Sequence, residues 1–281
     1  MFYLLNILIQ MKILLNNQTL NHKLRPFNDV GFVPTMGGIH EGHISLINRS
    51  KKVCKKTIVS IFINPKQFNN KKDFNSYPTN IKKDLFILKK IKGVNFVYIP
   101  KFKDIYESSK PSKIKIDKKD KILCAKYRKG HFEGVLDVMD RLTNLIRPSK
   151  IFMGKKDYQQ LLLVKNFIEK KYKTKVIGCK TVRDKNKLAL SSRNYLFNDK
   201  DLIIAGKIAK KMLVLKKSIK DKKNIIKFLS KEKNKLQKTF NINIEYLELR
   251  NKKNLLISKK VSKSNIFISY YLNGVRLIDN F

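Results

Sequence analysis

The sequence predicts an α/β fold: a doubly wound parallel sheet followed by a second, smaller α+β domain. Three observations predict it. Short apolar runs of strand length alternate with longer segments of helical periodicity, the run IVSIFI (58–63) is apolar nearly throughout, and the pattern changes after about residue 184. A strand covered by helices on both faces needs apolar residues on both, whereas a half-exposed strand alternates.

In chain order, MKILLN from Met11 reads as a first strand, and residues 30–33, 58–63, 95–99, 150–153 and 175–182 follow as strands. Between them SLINRSKKV (45–53), NIKKDLFILKKI (80–91), GVLDVMDRLTNLI (134–146) and YQQLLLVKNFIEKKY (158–172) space apolar residues by three and four. That is the stripe of a helix packed on a sheet. Such alternation gives a Rossmann-like domain over residues 1–183. Beyond it, lysine-rich helical segments at 202–215 and 224–236 precede strands at 242–249 and 266–271, a smaller C-terminal lid domain over 184–281.

The chain has 281 residues, 42% hydrophobic, 30% charged and 10% aromatic. This is enough for a core in each of two domains, and it excludes collagenous, mucin-like and disordered chains. Sixty-three Lys and Arg against 21 Asp and Glu give a formal charge of +42, which by itself suggests nucleic acid. A nucleic-acid reader concentrates its bases on one face with interleaved aromatics. Here lysines fill nearly every segment beside abundant Asn and Ile, so the reading is solvated surface, with weak salt-sensitive binding and no specific nucleic-acid partner. Cys54, Cys124 and Cys179 lie far apart, which supports neither a disulfide framework nor a zinc ribbon and suits a reducing cytoplasm. The opening MFYLLNILIQ is apolar but too short to span a bilayer and lacks a basic start; a true start at Met11 is the alternative reading. No membrane association is expected.

The sharpest segment is VGFVPTMGGIHEGHISLI (30–47), a strand, a turn with a Gly pair, then a helix. Gly37 and Gly38 allow close backbone approach, and a helix start offers N–H groups and a positive dipole end to phosphate. His40 and His43 share a face of the first helical turn, and Gly42 between them leaves room for a nucleotide. Imidazole donors there suit attack on an α-phosphorus with departure of pyrophosphate. Asn64 and Gln67 in NPKQF suit a small polar substrate, although a solvated loop amide reads as well. Tyr77 before Pro78 must be extended and suits a site or the core. In CAKYRKGHFEGV (124–135), Arg128 suits a carboxylate and His131 lies beside it on a glycine loop; one more basic loop in a basic chain is the equal alternative. In GKKDYQQL (154–161), Lys156 suits phosphate, Gln160 opens the helix, and Asp157 suits a ribose hydroxyl or a helix cap. LALSSRN (188–194) places Ser191, Ser192 and Arg193 where a lid would close over a triphosphate.

In this order, PTMGGIHEGH, VSIFINPKQF, YP, RKGHFEGV, GKKDYQQL and LALSSRN, with the ending GVRLIDN, closely resemble the pantothenate synthetases, the ATP-dependent pantoate–β-alanine ligases. Only residues 200–240 carry no motif. The resemblance implies that pantoate attacks ATP to give pantoyl adenylate and pyrophosphate, and that β-alanine then displaces AMP. It implies an ATP site from Met36, Gly37, Gly38, Ile39, His40, Glu41, Gly42, His43, Gly154, Lys155, Lys156, Asp157, Val182, Leu190, Ser191, Ser192 and Arg193. His43 falls in the proton-donor position, with His40, Lys156 and Arg193 beside it in the chemistry. Gln67 and Gln160 would contact pantoate, Gln67 also β-alanine, with Asn64, Tyr77, Arg128 and His131 as further candidates. Magnesium would bridge the phosphates with few protein ligands. A homodimer is also implied. The chain departs from the family pattern at Thr79 (usually Arg), Lys129 (Pro), Lys155 (Glu), and Ala125 and Lys187 (Gly). Lys155 would add charge near phosphate, while Ala125 and Lys187 would remove backbone freedom. A nucleotidyltransferase using the same H-x-G-H helix is the competing enzyme class; a nucleic-acid binder explains the charge and none of the motifs.

Overall fold

The computed structural model describes residues 11–106 and 114–281, so the apolar opening segment 1–10 lies outside the described residues. Six strands, β1 (Lys12–Leu14), β2 (Val30–Thr35), β3 (Lys56–Ile61), β4 (Phe96–Tyr98), β5 (Lys150–Gly154) and β6 (Lys175–Cys179), form one sheet in the order β1-β4-β3-β2-β5-β6. Every pairing is parallel. The helices are α1 (Asn17–Leu24), α2 (Glu41–Val53), α3 (Lys71–Asn75), α4 (Ile81–Lys90), α5 (Phe102–Ile105), α6 (Cys124–Tyr127), α7 (His131–Ile146), α8 (Tyr158–Lys171), α9 (Asp199–Ser218) and α10 (Ile225–Phe240).

Because successive strand residues point to opposite faces, neighbours in sequence enter different cores. Phe32, Ile58, Phe96 and Ile151 meet Leu20 of α1, Met139 of α7 and Ile168 of α8. Val33, Val59, Val97 and Phe152 meet Ile47 of α2 and Leu88 of α4. This double coverage is why the central strands are apolar throughout.

A second sheet, β7 (Asn243–Asn251), β8 (Ser264–Leu272) and β9 (Val275–Asn280), is antiparallel. Ile244, Ile268 and Leu277 pack with Ile208 and Met212 of α9 and Leu229 of α10. Tyr246 and Phe267, from the other face, join the core of the large sheet.

Several local expectations are corrected. IVSIFI pairs only as far as Ile61, the residue opposite the last β2 position, Thr35. The run 175–182 leaves the sheet at Cys179, opposite Gly154; Val182 instead accepts from the Leu190 N–H at 3.0 Å across a turn. α7 begins at His131, three residues before the predicted stripe, and α1 and β9 are additional elements. Ala125 lies in a helical turn and needs no glycine freedom, whereas Lys187, at φ +71°, does occupy the left-handed region that favours glycine.

Gly134 in α7 is required by packing. A Cβ there would lie 2.2 Å from the Lys66 carbonyl oxygen and 2.8 Å from Gln67 Cα. Gly134→Ala therefore forces apart α7 and the turn carrying Lys66 and Gln67, and we expect a loss of about 1–3 kcal/mol, the usual cost of overpacking. A urea midpoint unchanged from the parent would show that the turn yields freely.

Candidate active site

The strand order reverses at β2: β3 and β4 lie to one side of it, β5 and β6 to the other. The loops leaving the carboxyl ends of β2 and β5 diverge, and ligands of open α/β sheets bind in that crevice. One cavity there gathers Met36, His40, Gly42 and His43 after β2, and Gln67 and Tyr77 after β3. Arg128 and His131 reach it ahead of and at the start of α7; Gly154, Lys156, Asp157 and Gln160 reach it after β5. Val182, Leu190, Ser191, Ser192 and Arg193 complete the wall. Gly37, Gly38, Ile39, Glu41, Asn64 and Lys155 do not line it. His22, at the end of α1, is exposed and apart.

The two histidines cap α2 reciprocally. The Gly42 N–H donates to His40 Nδ1 at 3.0 Å, the His40 N–H points at His43 Nδ1 at 3.4 Å, and the rings lie 4.1 Å apart. A backbone N–H can only donate, so each Nδ1 is an acceptor and each ring carries its proton on Nε2. Burial, reinforced by Lys156, lowers the His40 pKa to about 4. Burial, His40 and Lys156 lower that of His43 to about 3. Both are neutral donors at neutral pH, through Nε2–H.

The open glycine cradle expected for an anion is corrected. Gly37 (φ +82°) and Gly38 (φ +62°) do form a left-handed turn, but the N–H groups of Gly38 and Ile39 donate to the buried Asp84 carboxylate at 2.9 and 2.8 Å. A Cβ on Gly38 would lie 2.9 Å from Ser192 Cβ. Asp84 and Ser192 thus flank the turn, and Ile39 is a core residue.

On the opposite wall, Gln67 Nε2 donates to the Met36 sulfur at 2.8 Å, while its Oε1 accepts from Asn64 Nδ2 at 3.3 Å. Asn64 is buried and also engages Tyr106 and the Gly134 carbonyl, so it holds Gln67 from behind. An arginine N–H can only donate; Arg128 Nη1 lies 2.8 Å from His131 Nε2, which leaves the His131 proton on Nδ1, donating to the Gln67 carbonyl at 2.7 Å. Burial and Arg128 lower the His131 pKa to about 3. Gln160 lines the cavity and makes no side-chain hydrogen bond among the described residues.

The turn after β5 is fixed from the far end of the chain. Asn280 Nδ2 donates to the carbonyls of Lys155 and Lys156 at 2.8 and 2.9 Å. Its neighbour Asp279 takes both arms of Arg183 at 2.6 and 2.9 Å. Lys156 Nζ sits 3.7 Å from Asp157. Lys155 instead packs its stem toward Gly178 on β6 and is exposed, so its charge does not join the cavity as expected. The 191–193 loop is tied to the segment after β3: Tyr77 and Ser192 share a 2.9 Å hydrogen bond, and Arg193 clasps Asp73 at 2.9 Å with two bonds. Arg128 also approaches Asp73, at 3.6 Å. Sequence reading missed Asp73, Asp84, Asp279 and Asn280. Only the last two carried a signal, in the GVRLIDN ending.

His40, His43 and His131 all have folded pKa values below the ordinary 6.5. The unfolded chain thus binds more protons than the folded one below about pH 6.5, so this part of stability is present above that pH and is lost as pH falls from there to about 3. Replacing His43 by Asn, which keeps an acceptor near Nδ1, should remove about half a proton from the slope of stability at pH 6.5 and about one proton at pH 5. Urea titrations across that range measure it, and an unchanged slope would contradict the neutral buried assignment.

Comparison with known proteins agrees with this geometry. The profile of the pantoate-beta-alanine ligase family matches residues 9–281. The chain is 35% identical over 268 residues to the pantothenate synthetase of Flavobacterium psychrophilum, covering 92% of this chain and 94% of that one. The crystal structure of the Thermus thermophilus pantothenate synthetase superposes with a TM-score of 0.90 at 28% identity, over 96% of this chain and 99% of that one. The pantoate-beta-alanine ligase of Francisella tularensis, solved with an ATP species and β-alanine, gives 0.82 at 34% identity, over 96% and 97%. The chain therefore belongs to the pantoate–β-alanine ligase family.

Proposed function

We propose that the protein condenses pantoate with β-alanine at the expense of ATP, using the cavity at the β2/β5 reversal for both half-reactions. One observation carries this reading: two neutral imidazoles, each with its proton on Nε2, lie beside Lys156 at a nucleotide-type switch point. A pantoate carboxylate oxygen attacks the α-phosphorus, and the bond to pyrophosphate breaks. Charge develops on the departing oxygens, where donors already in place stabilise it without reorganisation. His43, His40 and Lys156 supply them, and Arg193 adds a charge from the lid. The β-alanine nitrogen then attacks the carbonyl carbon of pantoyl adenylate, the acyl C–O bond breaks, AMP leaves, and the new amide nitrogen loses its proton.

Gln67 and Gln160 suit the hydroxyls and carboxylate of pantoate, because amides satisfy both without demanding a second charge. His131 holds Arg128 and the Gln67 backbone together, an arrangement that suits Arg128 to the β-alanine carboxylate. Asp157 and the 154–156 turn suit the ribose and phosphates, and Val182, Leu190, Ser191 and Ser192 the nucleotide wall.

Asp157 and Asp279 are the carboxylates on the cavity, and Asp279 is committed to Arg183. Magnesium arriving with the triphosphate fits this sparse set, since it keeps most of its water and takes one or two carboxylates. It would screen phosphate charge beside Asp157. The closed Ser192–Tyr77 and Arg193–Asp73 contacts suit a reactive acyl adenylate, which water would otherwise hydrolyse. In this reading residues 1–183 bind the substrates and 184–281 form the lid, and the protein is a cytoplasmic homodimer. No helix among the described residues is long and apolar enough to cross a membrane.

The test is AMP and pyrophosphate release from ATP and magnesium, with pantoate and β-alanine supplied singly and together. AMP release should require both substrates for turnover, with pantothenate formed in equal amount. Folded His43→Ala should lose several orders of magnitude in turnover. Full activity in that variant would remove His43 from the chemistry, and a product retaining the nucleotide would move the reading to the transferase class.

A further inference from the structure

The glycine turn of the H-x-G-H segment is a nest of backbone N–H groups, a geometry that binds anions. Its occupant is the chain's own Asp84. The carboxylate is 2% exposed and takes Gly38 N–H on one oxygen and Ile39 N–H on the other. It makes no ion pair among the described residues. Its charge is balanced by these amides and by the amino end of α4, in whose first turn it lies. The carboxylate packs directly on the turn: a Cβ on Gly37 would meet the Asp84 Oδ2 at 2.8 Å. Ile39, locked in the core, leads directly to His40, whose backbone N–H and ring nitrogen form the cap with His43 and Gly42.

We infer that Asp84 is a positioning residue for the histidine pair: by filling the nest it fixes the turn that sets both imidazole tautomers. It touches neither substrate nor reacting atoms and acts through Ile39 and His40. The consequence for turnover rests on the ligase reading above; the consequence for the tautomers does not. Asp84→Asn keeps the volume but turns an amide N–H₂ toward one of the two donors, so at most one bond of the pair survives.

The chain has four histidines, few enough to resolve each imidazole by 1H–15N correlation in histidine-labelled, ligand-free protein. The parent should show single Nε2–H tautomers at His40 and His43. In D84N both signals should move to mixed tautomers while His22 and His131 stay, and kcat should fall about 10–100-fold, the scale set by displacing a reacting group by about 1 Å. KM for ATP should change far less, because the nest does not line the cavity. If D84N does not fold, Asp84→Ala is titrated with formate, a carboxylate small enough to enter the emptied nest, and the His40 and His43 signals should return. Parent tautomers retained in D84N, equal movement of all four histidines, or no return with formate would each overturn the inference. Because the spectra need no substrate, they separate its failure from failure of the ligase reading.

Discussion

In a parallel sheet every crossover returns to the same edge, so the chain can open a crevice only where its strand order reverses. Here that place is β2, flanked by β3 and β5, and the rest of the site depends on it. The loop after β2 carries the histidine pair and the loop after β5 carries Lys156, so two segments more than a hundred residues apart become the two walls of one cavity. Burial of both sheet faces makes the strands stiff supports. The groups proposed for catalysis sit on the short segments that follow them, within a few residues of a fixed strand end.

The electrostatics follow from crowding basic groups around a place meant for anions. Burial and neighbouring Lys156 keep His40 and His43 neutral, which avoids adding two more positive charges to the cavity while retaining two donors. The arginines are handled differently. Asp73 takes Arg193 directly and draws Arg128 toward it, and Asp279 takes Arg183. The two arginines that line the cavity, Arg128 and Arg193, thus share Asp73 as an internal counterion, while Lys156 has the half-exposed Asp157 as its partner. Asp73 and Asp157 thus sit where cations would otherwise repel across the site.

Much of this was legible before folding. Fully apolar strands announced a parallel sheet, and the H-x-G-H, GKKD and SSRN segments announced the groups that meet in the cavity. The carboxyl end of β6 was overrun because 180–182 remain strand-like in composition while the neighbouring strand has ended at Gly154. The role of the glycine pair was hidden for a different reason. Its partner, Asp84, lies 46 residues away in a helix whose periodicity explains it equally well as surface. The Arg193–Asp73 clasp spans 120 residues and the Asn280–Lys155 contact 125; such pairings leave no periodic trace. Composition also could not distinguish Lys187, which is held in a left-handed turn, from Ala125, which is not.

The central claim is that this cavity activates a carboxylate by adenylation, with the histidines supporting departure of pyrophosphate. The most direct measurement is the fate of oxygen-18 placed in the carboxylate of pantoate, followed by mass spectrometry of the products. Attack by that oxygen on the α-phosphorus, followed by cleavage of the acyl C–O bond, carries one label into AMP and leaves the other in the amide of pantothenate. Label in AMP, and none in pyrophosphate, is the predicted result. Label in inorganic phosphate with release of ADP, or complete retention in the pantoyl product, would contradict the account.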